Sequence, residues 1–210
     1  MLIIGAKGFA KEVLEVCHQN NELENLSFYD DVNDDVFGKL YNQFPILKSI
    51  EEARYYFENI DNRFTIGIGN PLLRRKLYEK FSSLGGILTS TFSNNAIIGS
   101  FDISIGSGTN ILSGVQISNS VKIGFASIVY YNSIITHDCV LGDFVEVSPA
   151  VKILGRVNVG NETQLGAGSC ILPDIKLGNN VIIGAGSVVT KDIPDNCTAV
   201  GIPAKVIKQN

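Results

Sequence analysis

Every sixth residue between Ile105 and Val189 is aliphatic, a regularity that few chain paths can accommodate. The series is Ile105, Ile111, Ile117, Ile123, Val129, Ile135, Leu141, Val147, Ile153, Val159, Leu165, Ile171, Leu177, Ile183 and Val189, fifteen positions without an insertion. Four residues after each anchor sits a small or β-branched residue, from Thr109 through Ser127, Cys139 and Val157 to Ile193. Glycine follows the anchor directly at positions 106, 124, 142, 160, 166, 178 and 184. Two inward positions per six residues, with a tight corner between, describe a short strand followed by a turn. Three such faces close a triangular coil of 18 residues, so the run predicts five stacked coils, about 24 Å tall in all. Ile105, Ile123, Leu141, Val159 and Leu177 then share one interior column. Each coil buries its face only against its neighbours.

The first 88 residues have a different texture, alternating strand and helix. Leu2-Ile3-Ile4 reads as a strand running into Gly5-Ala6-Lys7-Gly8, followed by a helix from about Phe9 to Gln19. Leu26–Tyr29 and Phe64–Ile68 read as further strands, the second followed by a basic helix from Leu72 to Ser82. Such alternation implies a small parallel sheet with helices on its faces, whose ligands bind beyond the C-terminal strand ends. Lys7-Gly8, Asp30-Asp31 and Gly69-Asn70 all lie there. The expected organisation is an α/β domain over 1–88, the helical prism over 89–197, and a tail over 198–210.

Composition narrows the function. A net charge of −4 gives no basic surplus for a nucleic-acid backbone. Mean hydropathy is +0.18, yet no apolar run approaches the roughly 18 residues that span a bilayer. The opening Met-Leu-Ile-Ile-Gly-Ala-Lys-Gly has no basic n-region. Cys17, Cys139, Cys170 and Cys197 form no CxxC pair. A cytoplasmic protein with reduced thiols is expected, without membrane or nucleic-acid partners.

The whole chain resembles the sugar acetyltransferases that join a small nucleotide-binding domain to a left-handed parallel β-helix of hexapeptide repeats. These are the relatives of the bacillosamine and perosamine N-acetyltransferases and of the sialic acid O-acetyltransferases. Besides the repeat, the matching segments are Ile4–Val13 (IGAKGFAKEV), Tyr29-Asp30-Asp31, Ile68-Gly69-Asn70, Ile135–Gly142 (ITHDCVLG) and Val200–Lys205 (VGIPAK). The left-handedness comes from this resemblance and not from the period. The resemblance also implies a homotrimer, with acetyl-CoA lying along the prism between neighbouring subunits.

His137 lies two residues past anchor Ile135, outside the inward pattern, and Asp138 follows it. Transfer of an acyl group from a thioester needs a base for the incoming amine or hydroxyl, and histidine titrates in the right range. In the family the matching histidine is that base and the neighbouring carboxylate raises its basicity, which makes His137 and Asp138 the candidate pair. Gly155 is 18 residues after His137, one coil along the same column. It reads either as a tight corner or, through the resemblance, as the backbone N–H that receives the thioester oxyanion. Positions matching the family's acetyl-CoA contacts are Glu146, Gly155, Ala167 and Ala185; the alanines read equally as residues that keep the wall flat.

For the nucleotide-linked sugar the matching positions are Lys7, Gly8, Phe9, Asp30, Asp31 and Gly69. A turn at a helix N-terminus offers backbone N–H groups to an anion. Lys7 and Ala10 replace the second and third glycines of a GxGxxG fingerprint, so dinucleotide binding is not indicated. Asp30-Asp31 could accept hydrogen bonds from a base or ribose, or simply form a solvated loop. A carbonic anhydrase built on the same repeat needs three histidines around its zinc. With His18 on the first helix, only His137 is available on the prism, and no metal is expected. The remaining readings are N-acetylation of a nucleotide-linked amino sugar, O-acetylation of a sugar hydroxyl, and a non-catalytic trimeric scaffold.

Overall fold

The computed structural model describes residues 1–209. The chain divides into two units, one ending at Asn94 and the other beginning at Asn95. In the first, the strands are β1 (Leu2–Ile4), β2 (Ser27–Tyr29), β3 (Lys39–Leu40), β4 (Phe44–Leu47), β5 (Arg63–Ile66) and β6 (Ile87–Leu88). They form one sheet in the order β3-β4-β2-β1-β5-β6. Every pairing in it is parallel except the β3–β4 hairpin at one edge. Helices α1 (Gly8–Gln19), α2 (Ile50–Asn59) and α3 (Pro71–Ser83) connect the strands.

Local sequence explains the helices. In α1, Phe9, Ala10, Val13, Leu14, Val16 and Cys17 are buried, the apolar stripe of an amphipathic helix. Beyond the elements expected from the sequence, the unit holds α2 and the edge hairpin. The start of α2 is written in Ser49-Ile50-Glu51-Glu52: the Ser49 hydroxyl accepts from the Glu52 N–H, and the Glu52 carboxylate accepts from the Ser49 N–H. The start of α3 is written in Asn70-Pro71, with the Asn70 side chain accepting from the Leu73 N–H. Tyr29, Phe57, Phe64 and Phe81 meet in the core, the Tyr29 and Phe81 rings edge to face at 4.8 Å.

The second unit is a parallel β-helix made of two-residue strands. Ile111, Val129, Val147, Leu165 and Ile183 stack in one column, and Ile117, Ile135, Ile153, Ile171 and Val189 in a second. Ile105, Ile123, Leu141, Val159 and Leu177 form the third. From Ile111 onward every anchor is buried, while Ile105 at the start is half-buried. All fifteen second inward positions, Thr109 to Ile193, are buried as well.

The corners carry the less obvious regularity. Every sixth residue from Gly108 to Gly186 has a positive φ, though only 108, 114, 168 and 186 are glycine. Residues such as Phe144, Arg156 and Glu162 hold the same left-handed conformation, which disfavours a side chain by about 1–2 kcal/mol each. The stacked hydrogen bonds between coils offset that strain, since from Gly114 onward each corner N–H donates to a carbonyl one coil back, as Phe144 does to Phe125. The glycine after an anchor answers a different demand: a Cβ at Gly124 would lie 2.4 Å from the Gly142 carbonyl carbon in the next coil. A side-chain ladder adds to the stack. Asp143, Asn161, Asn179 and Asp195 each accept, at 2.8 Å, from the N–H of Phe125, Asp143, Asn161 and Asn179 respectively.

The period shortens at the C-terminal end, where Leu177 meets Ile193 and Ile183 pairs with Ala199, 16 residues on. Residues 198–209, expected as a tail, belong instead to an antiparallel hairpin, Cys197–Gly201 with Ala204–Gln209, that continues the stack. Among the described residues, no helix is long and apolar enough to cross a membrane.

Candidate active site

His137 and Asp138 stand at the corner that follows anchor Ile135. Each side chain is 54% exposed, and Nδ1 of His137 lies 2.7 Å from Oδ2 of Asp138. The pairing of adjacent residues follows from the corner itself. Asp138 takes the left-handed position at φ +60°, which turns its short side chain back onto the preceding ring. A carboxylate on Nδ1 selects the neutral tautomer with its proton there, leaving the Nε2 lone pair free to take another proton.

Gly155 is buried directly beneath this ring. A Cβ there would lie 2.6 Å from Cε1 and 2.8 Å from Nε2 of His137. The left-handed residue of that coil is Arg156, not Gly155, so the glycine is not there to make the corner. It is there because the imidazole lies on it. Among the described residues the Gly155 N–H has no acceptor. Cys139, next in sequence, points inward and is fully buried, its thiol donating to the Leu154 carbonyl at 3.2 Å; burial pushes that thiol up.

Glu146, Ala167 and Ala185 are not brought to His137. Glu146 lies on the face built by the Val147 column. Ala167 and Ala185 are exposed at the corner that follows that face, the Gly186 N–H donating to the Ala167 carbonyl. His137 occupies the corner after the next face. The chain therefore holds these two sets of candidates at different parts of its prism surface.

In the first unit, Gly5 (φ +102°) and Gly8 (φ +21°) shape the turn between β1 and α1. Lys7 occupies the N-cap position of α1, and its ammonium pairs with Asp35 at 2.8 Å. Phe9 is 8% exposed and packs into the domain, so it presents no ring face to a ligand. Asp30 is buried, and its carboxylate accepts from the N–H groups of Val32 and Asn33 and from the Asn33 side chain, closing the loop after β2. Asp31 accepts from the Tyr29 hydroxyl at 2.8 Å and from Lys80 at 3.2 Å. Burial works against its charge, but those two donors outweigh burial and hold it below the usual carboxylate range. The carbonyl of Gly69 accepts from the buried guanidinium of Arg74. A cleft of about 190 Å³ opens beyond the strand ends, lined by Ile4, Gly5, Asp30, Asp31, Val32 and Ile68 among others. A wider hollow beside it has Lys7, Lys11, Lys39 and Tyr41 on its walls.

The sequence reading missed three features: the Lys7–Asp35 contact, the buried Arg74 and an ion pair between Arg156 and Asp174. The last has a signal in the chain. Asp138, Arg156 and Asp174 are spaced by 18, the length of one coil.

Residues 1–81 match the family described as the PglD N-terminal domain, and residues 156–191 match the bacterial transferase hexapeptide (six repeats). A GDP-perosamine N-acetyltransferase of Escherichia coli O157:H7 is 30% identical over 179 residues, covering 80% of this chain and 76% of that one. Among solved structures, a histidine-to-alanine mutant of GDP-perosamine N-acetyltransferase from Caulobacter crescentus, in complex with CoA and GDP-perosamine, superposes with a TM-score of 0.90. It is 30% identical and covers 99% of this chain and 96% of that one. The acetyltransferase domain of PglB from Neisseria gonorrhoeae FA1090, in complex with acetyl coenzyme A, gives a TM-score of 0.87. It is 28% identical over 98% of both chains.

Proposed function

Because this chain belongs to the hexapeptide-repeat sugar acetyltransferase family, we propose that it moves an acetyl group from acetyl-CoA to the amino group of a nucleotide-linked amino sugar. Its fold is the one expected of that family, a small α/β domain followed by a left-handed parallel β-helix. The observation that carries the catalytic reading is the His137 ring, fixed at Nδ1 by Asp138 and laid over Gly155 with Nε2 available.

In this reading the sugar amine attacks the thioester carbon while Nε2 of His137 takes a proton from the amine nitrogen. The carbonyl oxygen becomes an oxyanion, for which the Gly155 N–H is the donor assigned. Collapse of the tetrahedral species expels the CoA thiolate, and the proton on His137 passes to that sulfur. Asp138 holds the ring in one tautomer throughout. No acyl-enzyme forms, since Cys139 is buried with its thiol pushed up and is a poor nucleophile.

The relatives bound to GDP-perosamine support an amine acceptor over a hydroxyl. Residues 1–88 carry the nucleotide-linked sugar in the cleft lined by Gly5, Asp30 and Asp31, with Lys7 beside it for a phosphate. Since Glu146, Ala167 and Ala185 sit at a different edge from His137, one acetyl-CoA can touch both sets only if a second subunit supplies one of them. A homotrimer satisfies this, and light scattering should give a mass about three times 22.7 kDa. The decisive assay follows CoA release with UDP-, GDP- and dTDP-linked amino sugars and with free sialic acid as acceptors. Turnover of a nucleotide amino sugar to its N-acetyl product is expected; acetylation of a hydroxyl alone would refute the proposal.

A further inference from the structure

The corner that carries His137 repeats every 18 residues as Asp138, Arg156 and Asp174, all in the left-handed conformation at φ +60°, +63° and +66°. Backbone bonds hold the three coils in order. The Arg156 N–H donates to the His137 carbonyl at 3.1 Å, and the Asp174 N–H to the Gly155 carbonyl at 3.0 Å. With strands stacked at about 4.8 Å, Arg156 starts one coil from each of two carboxylates. It takes only one of them. Its Nε and Nη2 donate to the two oxygens of Asp174 at 2.6 and 2.8 Å, the two-pronged geometry that suits a guanidinium. Asp138 is left to His137.

We propose that Asp174 is a positioning residue for acetyl transfer: by holding Arg156 in a two-pronged pair, it keeps the guanidinium off Asp138 and so keeps Asp138 on the imidazole. The proposal rests on His137 acting as the base. An arginine one coil from a carboxylate is a stronger partner for it than a histidine, because its charge is permanent and its donors form a rigid fork. Stacking makes the two directions nearly equivalent, Asp174 one coil forward and Asp138 one coil back. Besides Asp174, the groups that raise the Arg156 charge preference are Asp138 and the buried Cys139 thiol. Once Asp174 is removed, Asp138 is the one carboxylate of that set still within the column. A guanidinium drawn onto Asp138 would take its oxygen from Nδ1, and the ring would lose both its anchor and its fixed tautomer. The mutual hold is visible in the pair itself: each partner stabilises the other's charge, which lowers the Asp174 carboxyl and raises Arg156.

Asp174→Asn is the test, since asparagine keeps the size and tolerates the left-handed corner while losing the charge. With saturating acceptor, kcat is expected to fall about tenfold while KM for acetyl-CoA stays within about twofold. Adding Arg156→Gln removes the competitor, and the double variant should return to within about threefold of the parent rate. An unimpaired Asp174→Asn enzyme overturns the proposal, as does a double variant no faster than the single one. So does a loss confined to KM for acetyl-CoA, which would make the pair a donor-binding element. His137→Ala, measured alongside, separates the two levels. A parent-like rate there removes the base itself, whereas a slow His137→Ala beside a normal Asp174→Asn removes only the positioning role.

Discussion

Gly155→Ala isolates the contact between the catalytic candidate and the coil beneath it. The backbone at 155 is outside the left-handed region, so an alanine is not strained by conformation. The added methyl would stand 2.6 Å from Cε1, 2.8 Å from Nε2 and 3.3 Å from Nδ1 of His137. Ordinary carbon contacts begin near 3.5 Å, so the ring must withdraw by about 1 Å. It can do so, since among the described residues no other part of the chain packs over its exposed half. The fold therefore absorbs the change, while the imidazole leaves the place where Asp138 holds it. A displacement of that size at a reacting group is worth about 10²-fold in rate. The variant keeps its backbone N–H, so the loss is not that of an oxyanion donor. Thermal melting should stay within a few degrees of the parent, while kcat, followed by release of the CoA thiol, falls about 10²-fold. An enzyme within twofold of the parent rate would show that the position of the ring over Gly155 has no bearing on turnover.

Three further predictions follow from the same structure. His137→Ala should keep the fold and the acetyl-CoA KM but lose about 10²–10⁴ in kcat, the range of a positioned general base; circular dichroism and steady-state kinetics check both. Val147 is fully buried in an interior column, so Val147→Asp should strand a charge costing several kcal/mol, read as loss of soluble folded protein in a thermal melt. Asp61 is the third case. Burial alone would raise its carboxyl, but hydrogen bonds from Arg63 and the N-terminal ammonium outweigh burial and hold it far below the usual range. A depressed carboxyl contributes stability above its unfolded value of about 3.9 and loses it as pH falls through the folded value. The melting temperature should therefore drop below about pH 4, and Asp61→Asn should be less stable at neutral pH with a flatter acid limb. A variant with the parent's full acid dependence would refute that assignment.

Much of the prism was legible because its order is local and repeated. Ile135 and Ile153 pair 18 residues apart, as the six-residue step requires, and one correct coil gives the register of the next. His137 stood out for the same reason, as a polar residue that the inward pattern did not claim. The corners were hidden. Phe144, Arg156 and Glu162 are not residues a turn rule would place at positive φ, and only stacked coils hold them there. In the α/β unit the acidic pair was visible after β2. Its use was not, because Asp30 is spent on closing its own loop while Asp31 faces Tyr29 and Lys80.

From the sequence alone come the period, the inward columns, the two textures of the chain and the placing of His137, Asp138 and Gly155 on one edge. Each depends on spacing, and spacing survives in one dimension. Tertiary structure decided the partners: which of two carboxylates a guanidinium takes, which nitrogen of an imidazole is occupied, and why position 155 has no side chain. Those outcomes turn on differences of about 1 Å between groups brought together by folding. At such distances hydrogen bonds and steric contacts change steeply, and spacing along the chain does not resolve them.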